Sequence, residues 1–269
     1  MRTRSWQTKS RPLLIACLAL PVLVASSATL SGEETLQADQ IAARLASNNQ
    51  RRAALLAGYE SCRHYSLDYT GFPATKSAEM LVEMTYTSPA EKRFRVVRQQ
   101  GSGILINHVL KELMDSESNA WGNEERRART EITTANYEFR LVGTDSLEGR
   151  RQYVLEVTPH VKSKLLYRGK IWVDATDFAV SRIVAEPAKN PSFWISHTTI
   201  EHEYKKVGDF YLPARNTSVS KARVGGTAKL YIEYLNYRIG AANEPSQPDV
   251  CGSALHETPV SEARESASK

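Results

Sequence analysis

The 269-residue chain carries 35 basic and 30 acidic side chains, a net charge of +5. Four of the basic side chains and none of the acidic ones fall in residues 1–28, so the remainder is nearly neutral at 31 against 30. The basic balance therefore belongs to the N-terminus and gives no ground for nucleic-acid binding. That N-terminus has three parts: a basic head with Arg2, Arg4, Lys9 and Arg11, an apolar run from Pro12 to Val24, and the small residues Ala25, Ser26, Ser27 and Ala28. These are the parts of a secretory signal peptide, with cleavage expected before Thr29 and a periplasmic destination. The apolar run is too short for a membrane span, which needs ~20 residues. Leu14-Ile15-Ala16-Cys17 also has the form of a lipoprotein signal, which would anchor the chain at Cys17. The apolar core before that cysteine is short and the run continues past it, so lipidation is the lesser alternative.

After the leader, 33–59 has helical composition, with helical spacing at Ile41/Leu45 and Leu56/Tyr59. Strands are expected at 64–69, 80–87 and 93–99, the last two joined by the turn residues Ser88-Pro89-Ala90-Glu91. Gly101-Ser102-Gly103 then introduces an amphipathic helix over 104–120, in which Ile106, Val109, Leu110, Leu113 and Met114 recur at three and four. Glu124 to Arg129 is mixed in charge and reads as a solvated linker. From 137 to 239 strand follows strand, at 137–142, 151–158, 169–173, 178–185, 197–204, 211–218 and 227–239, with turn residues at 143–146, 174–177, 207–209 and 224–226. Short connections imply an antiparallel meander. About ten strands exceed what a flat sheet accommodates, so the sheet curls. Its concave face has to be filled by the two helical segments. Residues 240–269 are rich in Pro, Ser, Ala and Glu and read as a disordered tail. The domains are thus 1–28, 29–239 and 240–269.

The motifs of phosphate-binding loops, zinc proteases and serine-hydrolase elbows are absent. The Ser in Gly101-Ser102-Gly103 reads as turn punctuation. His197, Glu201 and Glu203 share one strand face and could approach a divalent metal, but no second cluster completes such a site; a solvated strand face is the preferred reading. No catalytic residue, metal or cofactor is assigned. Cys62 and Cys251 are the two cysteines after the leader, and in an exported chain they are candidates for one disulfide. Strand 227–239 is apolar on both faces, with Leu230, Ile232 and Tyr234 on one and Tyr231, Leu235 and Tyr237 on the other. Such a strand is either covered on both sides or lines a cavity.

Gly169-Lys170-Ile171-Trp172-Val173-Asp174 followed by Phe178 to Ile183 resembles the repeating hairpin of periplasmic outer-membrane lipoprotein carriers and lipoprotein-sorting proteins. Pro191-Ser192-Phe193-Trp194-Ile195, Gly208-Asp209-Phe210-Tyr211-Leu212-Pro213-Ala214 and Leu230-Tyr231-Ile232-Glu233-Tyr234 resemble the same family. The resemblance spans about residues 39–239. It implies a mainly-β fold with helices, an unclosed barrel or half-pipe whose apolar cavity takes acyl chains beneath a helical lid. The implied partner is an acylated lipoprotein or a lipid. An envelope-stress sensor bound to a membrane protein is the alternative on the same fold. On this basis Ile106, Val109, Leu110 and Leu113 are expected to face the ligand from the lid. Trp172, Phe193, Trp194 and Tyr234 are expected at the wall or rim.

Overall fold

Alternation of apolar and polar side chains organises most of this chain. The computed structural model describes residues 36–89, 91–121, 124–223, 225–240 and 250–252. The expected leader, Cys17 and most of the expected tail lie outside them. Helix α1 (Ala38–Leu55) leads into β1 (Gly58–Thr70), β2 (Lys76–Thr87) and β3 (Glu91–Gly101). A helical segment follows: α2 (Gly103–Leu105), a π-helical turn (Ile106–Leu110), α3 (Lys111–Trp121) and the short α4 (Glu124–Ala128). Seven strands complete the fold: β4 (Tyr137–Leu147), β5 (Arg150–Pro159), β6 (Tyr167–Asp174), β7 (Val180–Pro187), β8 (Ile195–Val207), β9 (Phe210–Ala222) and β10 (Thr227–Ile239).

All ten strands belong to one antiparallel sheet in the order β3-β2-β1-β10-β9-β8-β7-β6-β5-β4. Its edges β3 and β4 do not pair, so the sheet is an open half-barrel. Antiparallel register carries one row of inner-face side chains across it: Leu141, Leu155, Ile171, Ile183, His202, Asn216, Ile232, Tyr65, Met80 and Gln99. Both ends of this row are covered. Helix α1 lays Ile41, Ala42 and Leu45 on Tyr137, Leu155, Val157, Ile171 and Ile183 of β4–β7. The helical segment after β3 lays Leu105, Ile106, Leu110 and Met114 on Tyr65, Leu67, Met80, Val82, Ile232 and Tyr234. Burying an apolar side chain of this size contributes roughly 1.5–3 kcal/mol.

Several boundaries differ from those read in the sequence. The first strand starts at Gly58, so Tyr59 belongs to the sheet and stacks 5.3 Å from Tyr86, its partner across the β1–β2 ladder. Residues 143–146 do not turn: a register shift at Leu141/Gly143 lets β4 continue, and the chain reverses at Glu148-Gly149. Residues 124–128 form a turn of helix where a linker was expected. Tyr237 lies on the inner side, against Tyr59, because Asn236 takes φ 47° and β10 bulges opposite β1. The side-chain amide tolerates that left-handed backbone better than most residues do.

The outer face carries charge pairs across strands, Arg182 with Glu201 and Arg215 with Glu203. One patch of it is apolar and covered. Cys62, Leu81 and Leu235 pack under Val250 and Cys251, and a disulfide of 2.02 Å joins Cys62 to Cys251. Residues 250–252, read in the sequence as part of a disordered tail, are therefore held against β1 and β10.

Removing this cross-link enlarges the unfolded ensemble and uncovers Leu81 and Leu235. The double variant Cys62→Ser/Cys251→Ser is expected to lose about 2–4 kcal/mol, read as a lower urea midpoint. An unchanged midpoint would mean that the 250–252 segment adds nothing to the fold.

Candidate functional site

The two helical covers leave the middle of the inner face to β8, β9 and β10. There the row of buried side chains changes character. Ile183 on one side and Ile232 and Tyr65 on the other are buried, while His202 and Asn216 between them are half-buried, as are Ile200, Ser218 and Leu230 in the next row. The next row, Ala185–Ile200–Ser218–Leu230–Leu67, repeats the pattern, and beyond it runs Thr198–Ser220–Ala228–Tyr69, in which Thr198 is buried and the other three are half-buried. The result is a trough floored by a narrow polar strip with apolar shoulders. Along the strip the hydroxyls of Thr198 and Ser220 are 2.9 Å apart, and Asn216 Nδ2 donates to the Tyr234 hydroxyl at 2.8 Å.

Small side chains give the trough its depth. Gly169 and Ala185 stand side by side on the inner face. A Cβ at Gly169 would come within 2.3 Å of the Val184 carbonyl oxygen, so only glycine lets β6 and β7 approach there. His202 is half-exposed by area but sits deep in the trough, and burial depresses its imidazole to about 4. It is therefore neutral at pH 7. Tyr204, beside it on β8, is raised to about 12 by burial alone.

Each helical cover is latched to the sheet by charge. Under α3, Glu117 receives Arg63 Nη1 at 2.9 Å, Arg63 Nη2 at 3.3 Å and Lys92 Nζ at 2.7 Å. Arg63 projects from the inner face of β1 and is buried between the rings of Phe94 and Tyr234, at 5.2 and 4.8 Å. Burial would raise the Glu117 carboxyl, but the two cations outweigh it and hold it at about 2. Lys92 is lowered by its own burial against the same pairing. Under α1, Arg52 donates to the Asp177 and Phe178 carbonyl oxygens at 3.0 and 2.9 Å. The β6–β7 turn that presents those oxygens is itself fixed by Asp174. That carboxylate accepts Arg150 Nε at 2.6 Å and the backbone N–H groups of Thr176 and Asp177 at 2.9 and 2.8 Å.

The residues expected to touch a ligand separate into groups. Ile106 and Leu110 face the sheet and are buried, Leu113 is partly buried beside them, and Tyr234 lies on the inner face. Val109 is 39 % exposed and turned outward. The π-helical turn over 106–110 is the cause, since its wider pitch aligns Leu110 with Ile106 and rotates Val109 away. Trp172 stands on the outer face, where Arg182 stacks on its ring at 5.1 Å and its Nε1–H donates to Asp145 at 2.9 Å. Its neighbours Ile171 and Val173 are the inward ones, as strand alternation requires. Phe193 and Trp194 are exposed on the β7–β8 loop, at one end of the sheet and away from the trough floor. His197, Glu201 and Glu203 are each engaged separately, with Glu186, Arg182 and Arg215. Among the described residues no group of three His, Cys, Asp or Glu is placed to hold a metal ion. The polar strip of Thr198, His202, Asn216, Ser218 and Ser220 was not singled out in the sequence. Its signal is the alternation Asn216-x-Ser218-x-Ser220 within a strand whose neighbours alternate apolar residues.

No protein-family model and no curated protein matches the chain. Solved structures do resemble it. A DUF1329 family protein from Desulfovibrio piger aligns over 81% of this chain and 99% of its own, at 14% identity and a TM-score of 0.36. A LolA superfamily protein from Nitrosomonas europaea aligns over 80% and 97%, at 12% identity and a TM-score of 0.33. An outer membrane lipoprotein-sorting protein domain from Vibrio parahaemolyticus aligns over 78% and 97%, at 12% identity and a TM-score of 0.33.

The latch and the buried imidazole make the fold acid-sensitive in two windows. Glu117 is about 2 when folded against an ordinary 4.5; its contribution is complete above the higher value and lost as pH falls towards the lower. His202 is about 4 when folded against 6.5, so the unfolded chain binds the proton first and stability falls across that interval. Glu117→Gln is expected to cost about 3 kcal/mol at neutral pH and to speed hydrogen exchange across residues 103–121. Equal exchange in variant and wild type would show that α3 is held by apolar contact alone. His202→Gln removes the loss above about pH 4.5 and leaves the lower step in place.

Proposed function

We propose that the chain is a non-catalytic binding protein of the bacterial envelope, exported to the periplasm by its leader, whose inner trough takes the acyl chain of a lipoprotein or lipid. The observation that supports this reading is the half-buried strip of Ile200, His202, Asn216, Ser218, Ala228 and Leu230 between two covered flanks. An inner face that served only as a core would be buried across its whole width. Here Ile200 and Leu230 are partly open to solvent, in line with the buried Ala185 and Leu67.

An extended hydrocarbon chain suits that shape. Each methylene buried on the apolar shoulders contributes about 0.8 kcal/mol, so micromolar affinity needs no charged group. The hydroxyls of Ser218, Ser220 and Thr198 and the Asn216 amide offer hydrogen bonds to an ester or amide at the end of such a chain. The helical segment from α2 to α3 carries Leu113 at its inner margin and forms one wall of the trough. The latch at Glu117 sets how readily that wall moves.

Native mass spectrometry of protein purified from the periplasm without detergent tests the reading. A bound lipid or acylated peptide is the expected result, released by unfolding. Ser218→Trp, which fills the trough, is expected to lower uptake of a fluorescent fatty acid at least ~10-fold, since it excludes two or more methylenes. Its thermal melt should remain cooperative. A clean apo mass that persists after incubation with lipids and lipoprotein would discard the carrier and leave a sensor with a protein partner.

A further inference from the structure

Antiparallel hairpins bring alternate loops to the same end of a sheet, and in this chain one end differs sharply from the other. The β1–β2 loop (71–75), the β5–β6 loop (160–166), the β7–β8 loop (188–194) and the β9–β10 loop (223–226) lie side by side. Neighbouring strand ends fix this: Thr70 pairs with Thr227, Ala222 with Ile195, and Pro187 with Tyr167. Loop-to-loop hydrogen bonds continue the row. Arg223 N–H donates to the Trp194 carbonyl at 2.8 Å, and Ala188 N–H to that of Leu166 at 2.7 Å. The start of α2 joins them, because Ser102 N–H donates to the Ser77 carbonyl at 2.7 Å.

Two properties coincide at this end. First, it is apolar where water meets it: Phe72 is 85 %, Phe193 74 % and Trp194 63 % exposed, with Ile104, Val161 and Leu165 also exposed. These six are half of the twelve large apolar side chains that stand exposed among the described residues, so the concentration is not an even scatter. Second, its charge has one sign. Loops 71–75, 160–166, 188–194 and 223–226 hold Lys162, Lys164, Lys189 and Arg223 together with His160, and no Asp or Glu. The three lysines surround a cleft of about 420 Å³ between the β5–β6 and β7–β8 loops, closed on one side by Phe193. The acids flanking it lie on the strands and the turn before β4: Asp68 on β1 opposite Lys229, Glu186 on β7, which pairs with His197 at 3.6 Å, and Glu131 in the turn before β4. The opposite end of the sheet carries Glu148, Asp177 and Asp209 in its turns.

We propose that this loop end is a membrane-docking rim that seats on an anionic lipid surface, with Phe72, Phe193 and Trp194 entering the interface and Lys162, Lys164 and Lys189 meeting lipid phosphates. The complementarity is specific to a bilayer surface. Aromatic side chains settle at the headgroup level, and basic side chains around them gain from the negative potential of the leaflet. An acidic protein would satisfy the lysines but leave the Phe193–Trp194 pair on one loop and Phe72 on another exposed. The rim does not depend on the trough holding an acyl chain; it rests on different residues.

Co-sedimentation with vesicles tests it, using the chain without its leader and detergent-free. Binding is expected to phosphatidylcholine vesicles containing about 30% phosphatidylglycerol, and to weaken with salt. Lys162→Gln/Lys164→Gln/Lys189→Gln is expected to reduce the partition coefficient roughly 100-fold, about fivefold for each lysine. Brominated acyl chains should quench the indole emission of the wild type and leave Trp194→Phe protein unquenched. Equal partition to pure phosphatidylcholine together with no loss in the triple variant would overturn the rim. So would retention on an acidic peptide without any vesicle binding, which would assign the lysines to a protein partner. Uptake of the fluorescent fatty acid, measured without vesicles, remains normal in the triple variant, so failure of the rim and failure of the trough read out separately.

Discussion

A ten-stranded sheet with one apolar face has to cover that face, and this molecule covers it at two ends and not in the middle. Helix α1 and the segment from α2 to α3 each dock on a flank, which buries the rows that begin at Leu155 and at Met80. Neither buries the strip that runs from Ile200 and His202 on β8 across β9 to Leu230 at the start of β10, although the second reaches Ile232 and Tyr234 further along β10. The sheet curls, so the uncovered strip becomes the floor of a trough instead of a flat apolar patch. Position of the helices thus decides where the molecule is core and where it is site.

What keeps the helices on the flanks is not apolar contact alone. Half-buried Glu117 is drawn under α3 by the buried side chains of Arg63 and Lys92, a charge triad whose parts come from three different elements. Cations held away from water are costly without a partner, and the attraction that offsets this holds only in a narrow geometry. That narrowness specifies where α3 sits. At α1 the same task falls to Arg52, which donates to backbone carbonyl oxygens of a turn organised by Asp174 and is attracted by the Asp177 side chain. Two latches of different chemistry leave the covers independently adjustable.

Much of this was legible in the sequence. Period-two alternation located every strand from β5 to β10, and recurrence at three and four located the helical insertion after β3, because burial on one face writes itself directly into residue choice. The differences have local physical causes. Val109 was misassigned because three-and-four spacing presumes an α-helix, whereas a π-helical turn re-phases the side chains. Tyr237 was misassigned because one left-handed Asn236 reverses the alternation after it. Trp172 could have been placed on the outer face from Ile171 and Val173 alone, had its size not suggested a wall. The charge triad was not legible at all, since Arg63, Lys92 and Glu117 meet only through tertiary packing. The 250–252 segment was legible only through the Cys62 and Cys251 pair, which the sequence offered as a disulfide; its composition, polar apart from that cysteine and Val250, read as disorder.

The strand order has a consequence for how the molecule comes into being. Every neighbouring pair in the sheet joins strands consecutive in the chain, except β1 with β10. The first strand is therefore seamed to the last, and the seam runs through the interior of the sheet. A nascent segment ending before β10 can build two separate meanders but cannot bring the rows of Tyr65 and Ile232 together, and α3 then lacks half of its seat. Completion waits for the whole sequence, which delays the compact state until synthesis is finished.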